Sequence, residues 1–138
     1  MTQNAIDLGR TPIHLSSVGA SDSGAEVLLN FNFDGPSFET YIKTHCSAQS
    51  PGRIIMIESS AKDWDSWECH PLGDEIVIVL EGEGTFIQAT DQGEVHIPVS
   101  AGMSVVNPKG VWHTADITVP IKAVYITPAP DTHHKPRD

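Results

Sequence analysis

Short apolar segments separated by turn residues recur along most of this chain, and this pattern limits its fold more than any other feature. Segments 53–59, 76–80, 85–90 and 94–99 are rich in β-branched residues, and Gly-containing or Pro-containing stretches separate them. Helical periodicity is nearly absent. Many short strands with regular turn signals predict a sandwich or a closed barrel. We therefore expect an all-β fold, a jelly-roll β-barrel, in which closure removes exposed strand edges.

Several local predictions follow from the same pattern of residues. The alternation in "VLLNFNF", residues 27–33, predicts a half-buried strand, whereas residues 38–46 fit either a helical turn or a strand. "EGEG" at 81–84 and "DQG" at 91–93 are predicted turns. "NPKG" at 107–110 has Pro at its second position and Gly at its fourth, which is typical of a type I turn.

The length of 138 residues suits a single domain. We expect an N-terminal arm at 1–26, which is a candidate part of a dimer interface. The barrel is expected at 27–128, and a polar, frayed C-terminal tail at 129–138. No apolar run approaches the roughly 20 residues that span a bilayer, and the first residues do not resemble a signal peptide. A cytoplasmic location is the expectation.

The net charge of −10 restricts the partners. Nucleic acids and anionic membrane surfaces are bound by basic patches, so neither is expected as a partner, and a large anionic substrate is disfavoured. Cys46 and Cys69 are too few for a disulfide framework, and we expect both to be reduced thiols.

The stretch "WECHPLGDE", residues 67–75, concentrates the acid–base and metal-binding side chains. In an extended segment, Glu68 and His70 point to one face and Cys69 to the other. A turn at "PLGD", capped by Asp74, then brings Glu75 back towards His70. His113, just after the "NPKG" turn, is placed to complete a compact site.

At these residues the chain resembles the cupins, whose first motif is G-x5-H-x-H-x3–4-E-x6-G. Here the spacing is Glu68-x-His70-x4-Glu75-x6-Gly82, without the leading glycine. The second cupin motif is G-x5-P-x-G-x2-H-x3-N. Here the spacing is Gly102-x5-Pro108-x-Gly110-x2-His113-x3-Asp116, which departs only at Asp116. The resemblance is to the small single-domain cupins with a conserved barrel.

The resemblance implies a divalent metal held by His70, Glu75 and His113, with Glu68 where cupins usually have their first histidine. Glu68 is either a fourth ligand or a nearby general base. The ligand types fit Fe, Mn, Zn or Ni and do not choose among them. The carboxylates lower any preference for copper.

Three functions stay open at this point. A metal-dependent oxygenase, isomerase or lyase acting on a small organic metabolite is the first. The second is a non-catalytic sensor of a small molecule or metal, and the third is a metal-free acid–base isomerase or epimerase.

Other candidate residues carry weaker expectations. Tyr125, on the last barrel strand, is a candidate substrate-binding residue. Packing or interface roles are expected for Trp64, Trp67 and Trp112, and a surface role for His96. His133 and His134 are expected to bind metal only adventitiously.

An inward-facing Glu75 also sets the orientation of its strand. Val77 and Val79 would then point inward, and Ile76, Ile78 and Leu80 outward. Such an apolar outer face must be covered by the N-terminal arm or by a second subunit. We expect a homodimer, as the cupin resemblance also implies.

Overall fold

A computed structural model describes residues 4–17 and 24–138, so the rest of the predicted N-terminal arm lies outside the described residues. Its elements follow one another in this order: β1 (Ile13–Leu15), β2 (Ala25–Val27), α1 (Pro36–His45), β3 (Arg53–Ser60), β4 (Ser66–Cys69), β5 (Glu75–Thr90), β6 (Gly93–Ser100), β7 (Ser104–Asn107), β8 (Trp112–Thr127) and β9 (His133–Pro136). No helix in these ranges is long and apolar enough to cross a bilayer.

The strands form one curled antiparallel sheet, which confirms the all-β jelly-roll prediction. One path through the sheet runs β2-β1-β3-β8-β4-β9, and β5 pairs with β6, β7 and β8. The two longest strands, β5 and β8, have 16 residues each and pair along most of their length. Because β8 also pairs with β3 and β4, it joins the two parts of the curled sheet.

The inner face of the curled sheet holds the main hydrophobic core. The predicted alternation along β5 is confirmed: Val77 and Val79 are fully buried, whereas Ile76 and Leu80 are 38% and 42% exposed. Phe86, farther along β5, is also fully buried in this core. Burial of such side chains is the main driving force for closing the sheet. Coverage of the outer face by a second copy stays a prediction.

The predicted strand at 27–33 is wrong after Val27, where β2 ends. Asn30 adopts a left-handed backbone conformation with φ of 56°, which interrupts an extended strand. Phe31 packs instead against the ring of Tyr41 on α1, with 5.6 Å between ring centroids. The aromatic residues that suggested a strand face therefore belong to a helix-packing cluster.

The segment at 38–46, which the sequence left open, lies mostly within α1. Pro36 stands in the first turn of this helix, where a missing backbone N–H costs nothing. Tyr41 is buried against Leu28 and Ile54, and it anchors the helix to β3. The helix thus packs on the sheet beside the opening of the barrel.

The predicted turn at 81–84 is wrong, because this stretch is part of β5. The pairing of β5 with β8 shifts register between Val79 and Gly84, so the strand bends there without ending. β-Bulges are a common way to bend a strand in a barrel. The turn predicted at 91–93 is present. The type I turn predicted at 107–110 is displaced by one residue: Asn107 is the last residue of β7, and Val111 N–H donates to the Pro108 carbonyl at 3.1 Å, which closes a turn over 108–111. Gly110, the third residue of that turn, has a φ of +76°, which is typical of type II rather than type I.

The C-terminal segment is not frayed, in contrast to the prediction for 129–138. Its strand β9 pairs with β4, and Glu68 lies directly opposite His134. The Arg137 guanidinium closes the segment onto the barrel by donating to the Asp116 carboxylate at 2.8 Å and to the Trp64 carbonyl at 2.9 Å. The C-terminal segment therefore forms part of the sheet wall.

Candidate metal centre

Four side chains predicted from the sequence converge inside the barrel. Glu68 lies on β4, His70 just after it, Glu75 at the start of β5, and His113 on β8. One potential ligand atom from each of them lies within 4.8 Å of the others. Glu68 and His113 are register partners across β4 and β8, which places them on the same face of the sheet. The group could hold a metal ion.

Each imidazole Nε2 faces both carboxylates. His70 Nε2 is 2.9 Å from Glu68 Oε1 and 3.2 Å from Glu75 Oε2. His113 Nε2 is 3.2 Å from Glu75 Oε1 and 3.4 Å from Glu68 Oε1. The side chain of Glu68 is 24% exposed, whereas those of the other three are at most 3% exposed. Glu68 is therefore the member of the group that contacts solvent.

The charges of the group stabilise one another. Burial alone would raise the pKa of Glu75, but the imidazoles of His113 and His70 beside it outweigh that effect and hold the pKa at about 2. The pKa of Glu68 is likewise lowered by the two histidines against the effect of burial. Burial would lower the pKa of His70, but Glu68 and Glu75 raise it to about 9, and they also raise that of His113. Without a metal, His70 is therefore protonated at neutral pH and forms ion pairs with Glu68 and Glu75.

The orientation of His70 is fixed from the C-terminal segment. His70 Nδ1 is 2.9 Å from the Thr132 hydroxyl oxygen, and that hydroxyl donates its single proton to the Ala129 carbonyl at 2.9 Å. The hydroxyl must therefore accept a hydrogen bond from His70 Nδ1–H. In the neutral imidazole this arrangement leaves the Nε2 lone pair directed at the group, as a metal ligand requires.

Glu75 is held by buried donors on both oxygens. The Asn107 side-chain amide donates to Oε1 at 3.0 Å, and the Thr127 hydroxyl donates to Oε2 at 2.7 Å. Asn107 in turn accepts a hydrogen bond at 3.0 Å from the Gln88 amide, which also donates to the Val106 carbonyl at 2.8 Å. Such outer partners fix the position of a metal-binding carboxylate.

These supporting residues were not predicted from the sequence. Asn107 was assigned only to a turn, although it shares a strand face with Val105, which is buried. Thr132 had no sequence signal, and His134 was expected to bind metal only adventitiously, because its place beside Glu68 depends on the pairing of β9 with a strand more than 60 residues away. Local periodicity does not report pairing between such distant segments.

The ligand set fits a divalent ion on two observations. The Nε2 of His113 is buried and makes no well-directed hydrogen bond to any described residue, although Glu75 and Glu68 oxygens lie 3.2 and 3.4 Å away, and such buried polar atoms are rare and unfavourable. Ligand atoms about 2.1 Å from one ion lie roughly 3.0–3.4 Å apart at tetrahedral or octahedral angles. The four nitrogen–oxygen distances, 2.9–3.4 Å, match this spacing.

A cavity of about 890 Å³ opens beside Glu68, His70 and Glu75. Tyr125 and Trp64 line it, and Phe38 of α1 contributes to another part of its wall. Burial, followed by the charges of Glu75, Glu58 and Glu68, raises the pKa of Tyr125, so its phenol stays protonated. The volume of the cavity is in the range of sites that bind small organic molecules.

The remaining candidates lie away from the four side chains. Asp74 accepts a hydrogen bond at 2.7 Å from the backbone of Lys109, so it ties the two motif turns together. His96 is exposed and 3.1 Å from Glu94.

The other aromatic and sulfur-containing candidates have packing roles. Trp112 packs under the Lys135 ammonium, 4.4 Å from its ring centroid, on the outer face. Trp64 differs, since it packs against Phe86 with 5.9 Å between ring centroids and also lines the cavity. Neither Cys46 nor Cys69 is in a disulfide.

Three solved structures are similar to this chain, and the two with TM-scores of 0.50 or more share its fold. A Streptomyces PAC13 variant with uridine superposes with a TM-score of 0.52 at 13% identity, covering 62% of this chain and 69% of that one. An oxalate oxidase gives 0.50 at 19% identity, covering 58% and 44%. Hydroxypropylphosphonic acid epoxidase from S. wedmorenis gives 0.47 at 20% identity, covering 54% and 42%. The aligned parts span less than half of the oxidase and of the epoxidase.

No protein with a curated description matches this chain. The family model described as the cupin domain matches residues 54–127, which is more than half of the chain. That range contains all four side chains of the candidate metal centre and the strands that carry them. The chain therefore belongs to the cupin family.

Proposed function

We propose that Glu68, His70, Glu75 and His113 bind one divalent metal ion, and that the chain is an enzyme for a small organic molecule bound in the adjacent cavity. The buried Nε2 of His113 carries this proposal, because it faces two carboxylate oxygens at 3.2 and 3.4 Å without a well-directed hydrogen bond to either. When bound, the metal would supply Lewis-acid chemistry or a binding position for an oxygen ligand. The reaction classes that fit are an oxygenase, an isomerase or a lyase.

The chain's own residues have separate tasks in this proposal. Glu75 is a fixed ligand, since both of its oxygens accept hydrogen bonds from buried donors. Glu68 binds through Oε1, the oxygen that faces both histidines, and it is the most exposed of the three ligands that line the cavity. The Tyr125 phenol is protonated and can donate a hydrogen bond to a bound molecule.

The charges around the cavity indicate a substrate class. Outside the metal centre, the residues that line the cavity include one lysine, Lys62, and five acidic residues. The acidic residues are Asp34, Glu58, Asp63, Asp65 and Asp131. Negative potential in a cleft concentrates cations and repels anions. We therefore propose a neutral or cationic small metabolite as the substrate, in agreement with the overall charge of −10.

A metal-free acid–base enzyme is the second candidate. It is favoured by the short contact between His70 Nε2 and Glu68 Oε1, 2.9 Å, at the wall of the cavity. A proton could be exchanged between such a pair and a bound molecule. Metal binding separates this candidate from the first, and turnover separates either one from a sensor.

Metal titration of the full chain tests the proposal. The chelator-treated protein is titrated with Fe(II) without oxygen, and with Mn(II), Zn(II) and Ni(II), by calorimetry and thermal melting. We expect one equivalent of at least one ion to bind. At an ion concentration 100 times the Kd, the free energy of unfolding should rise by about 2.7 kcal/mol. Binding of none of these ions, with no rise in melting temperature, would contradict the metal centre.

The pH dependence of melting should differ with and without metal: between about pH 6.5 and 9 the metal-free protein should lose stability, whereas the metal-bound protein should stay nearly constant. Because Glu68 and Glu75 raise the pKa of His70 to about 9, its ion pairs stabilise the metal-free protein fully below about pH 6.5 and are lost as the pH rises through 9. Metal binding needs a neutral imidazole, so the apparent affinity should increase about tenfold per pH unit for each proton released. We therefore expect the difference in melting temperature between the metal-bound and the metal-free protein to grow as the pH rises from 6 to 9.

The carboxylates add little to this trend, because the pKa of Glu75 is about 2 and it is ionised throughout the range. The control is the same series with Mg(II), which prefers oxygen ligands and should leave the metal-free curve unchanged. Parallel curves with and without the bound transition metal would show that His70 does not give up its proton to the ion.

A further inference from the structure

The two oxygens of Glu68 face different partners. Oε1 is 2.9 Å from His70 Nε2 and 3.4 Å from His113 Nε2. Oε2 is 2.9 Å from His134 Nε2, on the C-terminal strand β9. Glu68 is thus the register partner of His113 on one side and of His134 on the other. A row of three polar side chains crosses β8, β4 and β9 on one face of the sheet.

The contact with His134 is supported by a well-anchored strand. Arg137 contacts the Asp116 carboxylate and the Trp64 carbonyl, and the Lys135 ammonium lies over the Trp112 ring. Glu68 and His134 also pair through their backbones in the β4–β9 ladder. The position of the His134 ring relative to Glu68 is therefore set by sheet register rather than by a loose tail.

We infer that His134 is a positioning residue of the metal centre, which holds Glu68 Oε2 so that Oε1 alone is available to the ion. This inference rests on the proposed metal site. A carboxylate oxygen that accepts a charge-assisted or neutral N–H bond from a neighbouring strand is turned away from the ion. Glu68 then acts as a one-oxygen ligand and leaves a coordination position for the bound molecule. The histidine is outside the four ligands and acts only through Glu68.

The same strand provides a matched control. His133 precedes His134, but it lies opposite Cys69 rather than Glu68, so strand alternation directs it to the other face. Both histidines are exposed, and His134 is 58% exposed at its side chain. Replacing either one removes little buried surface, so the fold should tolerate both changes.

The experiment compares three variants of the full chain, loaded with Co(II): His134→Ala, His134→Gln and His133→Ala. Co(II) affinity and the visible absorption of the bound ion are measured for each. We expect His134→Ala to weaken binding by about 10–100-fold, the usual effect of removing an outer partner of a ligand. Its absorption should weaken per ion, because a second Glu68 oxygen raises the coordination number.

His134→Gln keeps an N–H donor of similar reach, and should restore affinity to within about threefold of the parent together with its absorption. His133→Ala should match the parent in both measurements. In a Glu68→Ala background, His134→Ala should have no further effect, since the two act through one interaction.

Two results would overturn the inference. If the His134→Ala variant has the Co(II) affinity and the absorption spectrum of the parent, Glu68 needs no support from β9. If the His134→Gln variant binds Co(II) as weakly as the His134→Ala variant and its spectrum is altered, the His134 nitrogen is itself a ligand of the ion. Failure of the parent to bind Co(II) is a separate outcome, which counts against the metal site as a whole and this inference with it.

Discussion

His113→Ala should abolish metal binding, with an affinity loss of more than about 100-fold. Removing outer partners of ligands already weakens metal binding 10–100-fold, and His113 is placed as a direct ligand. Its Nε2 is 3.2 Å from Glu75 Oε1 and 3.4 Å from Glu68 Oε1, and alanine at this position offers no ligand atom to replace it. The measurement is the calorimetric titration with the ion that the parent binds, together with the metal-dependent rise in melting temperature.

His14→Ala is the control for this variant. His14 is also buried, 1% exposed, but it contacts the Tyr41 hydroxyl at 2.8 Å beside α1 and lies outside the metal centre. Both variants should lower the melting temperature of the metal-free protein, since each deletes a packed polar side chain. Only the His113→Ala variant should lose the rise in melting temperature that metal binding causes. Stoichiometric binding by His113→Ala at the parent's affinity would remove His113 from the ligand set.

The four side chains of the candidate metal centre could be predicted from the sequence because short-range patterns, namely strand alternation, a turn and motif spacing, identify them. Strand alternation placed Glu68 and His70 on one face, and a short turn brought Glu75 back beside them. His113 came from the second motif, whose spacing to its preceding glycine and proline matches the family. The structure brings all four together, although their role as metal ligands stays a prediction.

Errors in the prediction arose where tertiary contacts override local pattern. The alternation at 27–33 is real, but Asn30 turns the chain and Phe31 packs on a helix instead of a sheet face. The segment containing His134 looks polar and unstructured, yet β4 offers it a free edge and Asp116 binds Arg137. Asp116, the single departure from the second family motif, therefore has a structural partner in this chain.

Gly82→Ala should destabilise the fold by about 3 kcal/mol or more, although Gly82 does not contact the metal centre. Its φ is +94°, and an added Cβ would overlap the carbonyl oxygen of Pro120 and lie 2.8 Å from the Ile121 Cα. Both obstacles are backbone atoms of β8, so no side chain can move aside. A strained non-glycine conformation costs about 1–3 kcal/mol, and overpacking adds a similar amount. Urea unfolding with a fixed m-value measures the change.

The Gly102→Ala variant separates the two contributions to this loss of stability, the backbone strain and the overpacking against β8. Its φ of +90° is nearly that of Gly82, but a Cβ there meets nothing within 4 Å. This control should lose only the conformational part, about 1 kcal/mol. Equal losses in the two variants would show that contact with β8 is not the reason for glycine at position 82. Because both residues belong to the family motifs, unequal losses would assign Gly82 to the close approach of the β5 and β8 backbones at the register shift in their pairing. Metal affinity per folded molecule should then be the same in Gly82→Ala as in the parent.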